Sequence, residues 1–258
     1  MRVEDAPRTQ PHVTGPAFYA QPGFLNRPRL RDWWTVLHPP YTMLHLSLVT
    51  IGACLMGPVN AVRLAVTLVA FFLAVGIGAH CLDELHGRPL GTSIPTWQLI
   101  LASGVGVGGA VILGVAGMFL VSPYLAIFIC VGVLIAVGYN LELFNGRLHT
   151  DAVLVIGWGA FPILTAYFAQ HARLSVASLF VAAFGALVTL MQRQLSTPAR
   201  QLRRRTVSAE GVIVHANGST EPLSKLTILA PLEGALKTLC WCGVTLALAL
   251  VLLQFLRQ

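Results

Sequence analysis

The stretch "HCLDELHGRP", residues 80–89, places two histidines, two carboxylates and an arginine between His80 and Arg88, directly after a strongly apolar run. If the preceding helix continues through it, His80, Asp83, Glu84 and Gly87 fall at i, i+3, i+4 and i+7 and share one face. The two carboxylates then project together. Acids at a helix carboxyl terminus oppose the macrodipole, and acids at a membrane boundary are costly unless they meet a polar cavity, a metal or a partner. The plain alternative is that Asp83 and Glu84 end the helix and pair with Arg88. A second polar stretch, "YNLELFNGRLHTD", holds Tyr139, Asn140, Glu142, Asn145, Arg147, His149 and Asp151; its plain alternative is a loop in which Arg147 pairs with Glu142 and Asp151 caps the next helix. Carboxylates facing arginines suggest Mg²⁺ held by oxygen ligands. The ion would bridge to a diphosphate whose oxygens are gripped by Arg88, Arg147, Arg193 and Arg200.

The elements that must position these groups are membrane helices. The chain has 258 residues, 55% of them hydrophobic and only 10% charged, with a mean hydropathy of +0.73; ordinary soluble domains carry roughly 25% charged residues. About seven apolar runs approach the ~20 residues needed to cross a bilayer: Tyr41–Gly57, Leu64–His80, Trp97–Val121, Tyr124–Tyr139, Ala152–Ala169, Leu174–Met191 and Leu236–Phe255, the last with a start as early as Leu226. The expected fold is therefore all-α, a polytopic bundle. Residues 1–35 form an amino-terminal segment, and residues 36–258 form the transmembrane domain, with a basic loop at 193–225.

Lysine and arginine concentrate before the first run and in alternate loops, whereas the opposite side receives only Arg63, Arg173 and Arg257. The positive-inside rule then puts the amino terminus in the cytoplasm and the working surface on the cytoplasmic face of the cell (inner) membrane. The net charge of +7 reads as topology and contact with lipid headgroups, without nucleic acid as a partner. No amino-terminal signal peptide is expected. Residues 1–35 read as poorly ordered except for "LRDWWTVLHPPY", an interfacial anchor with Trp33 and Trp34 at headgroup level. In the basic loop, Val212–His215 followed by Asn217-Gly218 predicts a small hairpin. "GVGVGG" lies inside an apolar run and lacks the strand a dinucleotide fingerprint requires; Gly104 and Gly108 are expected to serve close helix packing. The five cysteines have no zinc or disulfide spacing and read as packing residues.

The layout of residues 33–195 resembles the UbiA-type intramembrane prenyltransferases. "HCLDELHGRPLGT" is similar to the first aspartate-rich loop of that family, often followed by Arg-Pro-Leu, and "YNLELFNGRLHTDAVLVIGWGAFPILTAYFA" resembles its Tyr-plus-basic loop and the helix that follows. The resemblance implies a helical bundle open laterally to lipid, which transfers a prenyl group from a prenyl diphosphate to a lipophilic acceptor with Mg²⁺ assisting ionisation. Carried over by position, Asp83 is a Mg²⁺ ligand with Glu84 beside it, Tyr139 and Arg147 face the diphosphate, and His80 and Asn140 complete the catalytic set. The second acidic motif of the family has no counterpart, since no acid occurs between Asp151 and Glu210; Arg193 and Arg200 are placed to supply positive charge instead. Alternatives of other kinds are a terpene cyclase of the same type, with Trp158, Phe161, Tyr167 and Phe168 as aromatic wall, and a non-catalytic isoprenoid-binding or lipid-binding membrane protein.

Overall fold

A computed structural model describes Leu25 and residues 27–256, so the expected disorder of residues 1–24 lies outside the described residues. The order is α1 (Pro28–Leu37), α2 (Pro39–Cys54), α3 (Ala61–Leu85), α4 (Thr96–Leu120), α5 (Leu125–Asn140), α6 (Asp151–His171), α7 (Val176–Arg205), a hairpin of β1 (Glu210–Val214) and β2 (Thr220–Ser224), and α8 (Lys225–Phe255). The described structure is helical apart from this one hairpin. α3, α4, α6, α7 and α8 are long and apolar enough to cross a membrane, and α5 is a shorter apolar helix. Large apolar side chains such as Ile112, Phe119, Phe180 and Leu252 are exposed on their outer faces, as expected of an integral membrane protein whose surroundings are hydrocarbon.

α2 is the hub. It is only 16 residues long and carries Thr42, His45, Ser47 and Thr50, yet it is buried along almost its whole length. Its hydroxyls fold back onto its own carbonyls, Ser47 to Met43 (2.8 Å) and Thr50 to Leu46 (2.9 Å), which lets these hydroxyls lie in a helix interface with their donors satisfied. Leu48 and Ile51 pack with Ile163, Ala182 and Ala247 of α6, α7 and α8, and Val49 and Ala53 pack with Ala166.

Two close approaches lock the bundle. A Cβ at Gly106 of α4 would lie 2.6 Å from the Leu73 carbonyl of α3, and one at Gly159 of α6 would lie 2.5 Å from the Gly185 carbonyl of α7. The expectation for Gly104 and Gly108 is corrected: both have open space around them, and Gly106, on the opposite side of the helix, makes the contact. The glycine-rich run shows that a small face exists, but its phase belongs to the neighbour.

All longer connections lie at one end: residues 86–95, 141–150 and 206–224. The linkers 55–60, 121–124 and 172–175 lie at the other. The hairpin forms where Asn217-Gly218 predicts a turn, with Ser219 N–H donating to Asn217 Oδ1 (3.0 Å). The basic stretch expected as loop is corrected. α7 runs through it to Arg205, and α8 begins at Lys225, capped by Ser224. Apolar hydropathy ends near Met191 although the helix does not: the Gln, Arg and Leu residues beyond it are good helix formers and carry the helix past Pro198 to Arg205.

Candidate functional site

The polar end holds a mouth formed by α3, α5, α7 and the α1–α2 junction. α3 contains a π-helical stretch, Phe72–Ala79, before returning to α-geometry at His80–Leu85. Such wide turns rephase the side chains beyond them. The helix stops at Leu85, and Gly87 and Arg88 take left-handed φ values of 81° and 53°. Gly87 therefore leaves the helical face on which the sequence places it.

Asp83 and Glu84 part company, which corrects the expectation that they project together. Glu84 is completely buried, and its carboxylate accepts from Leu90 N–H, Thr92 N–H and the Thr92 hydroxyl at 2.8–2.9 Å. It organises the 86–95 loop from within. Asp32 of α1 grips the same loop through Ser93 N–H (2.9 Å) and its hydroxyl. Arg88 turns back to the Ile94 carbonyl (2.7 Å) and the Thr96 hydroxyl (2.9 Å), so it closes the loop and pairs with neither carboxylate. The segment expected to be a simple interfacial anchor is thus bonded into the site's scaffold.

Asp83 is only partly buried and lies in the electrostatic field of Arg200, Arg204 and His149. Tyr139, 5% exposed, shares the field of Asp83, Arg193 and Arg200. Its ring stacks on His149 at 4.3 Å, and His149 Nδ1–H donates to the Tyr139 carbonyl (3.0 Å). His80 donates to the Gly76 carbonyl (3.2 Å), and its ring lies 6.0 Å from those of His38 and Tyr41. Burial, reinforced by His80 and Arg204, lowers the His38 imidazole from its ordinary 6.5 to about 3, so it stays neutral in the mouth.

Arg193 donates to Asp151 (2.8 Å); the cap of α6 is Thr150, whose hydroxyl accepts from Val153 N–H (3.2 Å). Arg147 does not join the cluster. It is exposed on its loop, while Glu142 lies between His86 (3.7 Å) and His149 (3.8 Å). Asn140 is buried and donates to Ala136 of its own helix (2.6 Å). The 141–150 loop is tightly wound, with Glu142, Phe144 and Asn145 all at left-handed φ, a conformation costly for residues other than glycine and found where surroundings over-determine it.

Beneath the mouth lies a cavity of about 450 Å³, within the ~300–1,000 Å³ of small-molecule sites. Its wall follows α3 from Val62 to Val75, about 20 Å of helix at 1.5 Å per residue. It is almost wholly apolar. Phe71, Phe128, Trp158 and Phe161 supply aromatic faces, and Asn60, Arg63, Thr67 and Thr165 are the polar groups of the far end. Tyr167 and Phe168 are not in this wall: Tyr167 is buried and donates to Met56 Sδ (3.1 Å), and Phe168 stands behind Phe128 at 5.0 Å. Trp158, 4.9 Å from Tyr139, separates the cavity from the mouth. It lies in a second π-helical stretch, Ile156–Ala160, whose Trp158 carbonyl accepts from the buried His45 (3.2 Å).

His38, Tyr41 and Asp32, remote in sequence from the other site residues and outside any motif, join the site only through the fold. Arg204 belongs to the close run Arg200, Arg203, Arg204 and Arg205, whose readings in the sequence are lipid-headgroup contact or a direct role with an anionic substrate; with Arg193 and Arg200 it lies within about 40° at 100° per residue, because the helix continues to Arg205.

Mg²⁺ as a protein-held ion does not suit this donor set. Asp83 is the carboxylate of the pair without a hydrogen-bonded partner in the loop, Glu84 is fully buried and already accepts three hydrogen bonds, and no group of three or more metal-ligating side chains occurs among the described residues. Comparisons with protein-family models, characterised proteins and solved structures return no match.

Proposed function

We propose that the protein is a membrane-embedded prenyltransferase, in which a prenyl diphosphate places its head in the mouth and its chain in the apolar cavity. The observation that carries this is the adjacency of a cation-rich mouth to an elongated apolar cavity across the Tyr139–Trp158 pair. That arrangement complements an anionic head on a long hydrocarbon tail. Seven crossings by α2 to α8, with the polar end in the cytoplasm, and a UbiA-like fold belong to the same proposal.

In the reaction, the allylic C–O bond breaks with its electron pair going to the diphosphate. A nucleophilic atom of the lipophilic acceptor then bonds to the allylic carbon, and its proton passes to the departed diphosphate. Arg193, Arg200 and Arg204 stabilise the charge developing on the leaving group, which is where preorganised cations contribute most. Tyr139 and Trp158 present π-faces along the path of the cation. The aromatic wall of Phe71, Phe128, Trp158 and Phe161 favours a second outcome, cyclisation of the cation without an acceptor.

The test is incubation of the purified protein with geranyl, farnesyl and geranylgeranyl diphosphates and a lipid extract as acceptor source, following diphosphate release and the extracted products. A new lipid conjugate is expected. A free hydrocarbon or alcohol identifies a cyclase or hydrolase, and binding without release leaves a non-catalytic isoprenoid-binding protein.

A further inference from the structure

We propose that the arginine stripe of α7 takes the place of a divalent cation, so that an isoprenoid diphosphate binds here without metal; this rests on the prenyl-diphosphate reading above. Arg193, Arg200 and Arg204 turn toward the same mouth, where Arg200 lies in the field of both other arginines, Asp83 and Tyr139, and Arg204 in that of Asp83 and Glu84. Their neighbour Arg203 points elsewhere and forms a buried bidentate pair with Glu233 of α8. Helical phase thus sorts the five arginines of the basic run into one for packing, three for the mouth and one, Arg205, exposed.

The charge balance has the wrong sign for a metal centre. A divalent site gathers carboxylates and keeps cations away. Here Arg200 and Arg204 lie in the field of Asp83, and Arg193 bonds Asp151, whose side chain is 66% exposed. Glu84 brings charge, but its oxygens are already occupied by the loop. Gathering like charges in a partly buried mouth costs free energy that an incoming anion relieves. Planar guanidinium forks match phosphate oxygens two at a time, and a diphosphate presents enough oxygens for all three. Asp83 has a different role from a metal ligand: its charge offsets part of the guanidinium charge around it and so competes with the anion.

The experiment is equilibrium binding of radiolabelled farnesyl diphosphate to the full-length protein in detergent, with excess EDTA or excess MgCl₂. Affinity is expected to agree within about twofold between the two conditions, because no ion is part of the site. Arg200→Gln and Arg204→Gln are each expected to weaken binding about tenfold, the scale of one lost charge-assisted contact, with partial recovery in Arg200→Lys. Asp83→Asn is expected to bind equally or more tightly. Thermal unfolding of each variant identifies any that fail to fold, and the exposed Arg205→Gln serves as a control that keeps parental affinity. Farnesol, which lacks the diphosphate, is expected not to compete, whereas inorganic pyrophosphate competes in an Arg200-dependent way. Binding that appears only with Mg²⁺ and is abolished by Asp83→Asn overturns the arginine-for-metal inference and leaves the prenyl-diphosphate reading standing. Absence of farnesyl diphosphate binding in both conditions overturns that reading itself.

Discussion

Adjacent residues of one type have opposite tasks here. Asp83 and Glu84 differ by 100° of helix rotation, and this sends one carboxylate toward the arginines of α7 and the other into the loop that follows. Glu84 is fully buried with three donors on its two oxygens. Removing it orphans two backbone N–H groups and a hydroxyl, each costing about 1–3 kcal/mol where buried. Glu84→Ala is therefore expected to lower stability by about 3 kcal/mol or more in thermal or denaturant unfolding, with the 86–95 loop becoming sensitive to proteolysis. Asp83→Asn, which breaks no such network, is expected to change stability by less than about 1 kcal/mol. Equal destabilisation by the two would refute the division of labour. "HCLDELHGRP" discloses that chemistry-bearing groups are concentrated there. Which of them is free for chemistry is decided by Leu90 and Thr92, which no spacing rule connects to Glu84.

Helices in this protein are placed by contacts of their backbones as much as by side chains. In a membrane, water provides little drive for helix association, so close packing of small residues contributes much of it. Gly106 and Leu73 lie within such a contact, and Gly104 does not. Gly106→Val is expected to destabilise by about 1–3 kcal/mol, the usual cost of overpacking, and to disturb the α3 π-helical stretch on which the mouth depends. Gly104→Val is expected to remain within about 0.5 kcal/mol of the parent. Unfolding midpoints in a single detergent separate the two. The same element-scale reasoning explains α7. Hydropathy counts only the part in hydrocarbon, whereas the helix continues to Arg205 and converts an apparent basic loop into an ordered stripe of cations.

At the scale of the whole molecule, the apolar cavity and the charged mouth lie on either side of the Tyr139–Trp158 pair. Gly132 lines the cavity, and a Cβ there would approach Phe161 at 3.3 Å; a larger side chain must occupy cavity space. A Gly132→Leu substitution adds three further carbons beyond that Cβ, removing on the order of 80 Å³ at roughly 27 Å³ per carbon group, comparable with the ~30 Å³ of a water. The preferred donor is expected to shift to a prenyl diphosphate shorter by about one isoprene unit, with the arginine-dependent head contact intact. Competition among geranyl, farnesyl and geranylgeranyl diphosphates checks it, and an unchanged preference would show that the chain lies elsewhere.

By itself, the sequence determined that this is a helical membrane protein, roughly where its helices lie, that a hairpin turns at Asn217-Gly218, and that polar chemistry is gathered at one end. Hydropathy and turn preference are local properties, legible in one dimension. Only the tertiary structure decided where the polar groups go: Asp83 into the field of Arg200 and Arg204, Glu84 to its own loop, Arg203 to Glu233, Arg147 to the exposed side of its loop, and His38 and Tyr41 into the mouth from the start of the bundle. Those pairings depend on helix phase, on two π-helical stretches that shift it, and on glycine contacts that bring helices together. None of these can be read along a single chain, because each depends on which neighbour the other helices supply.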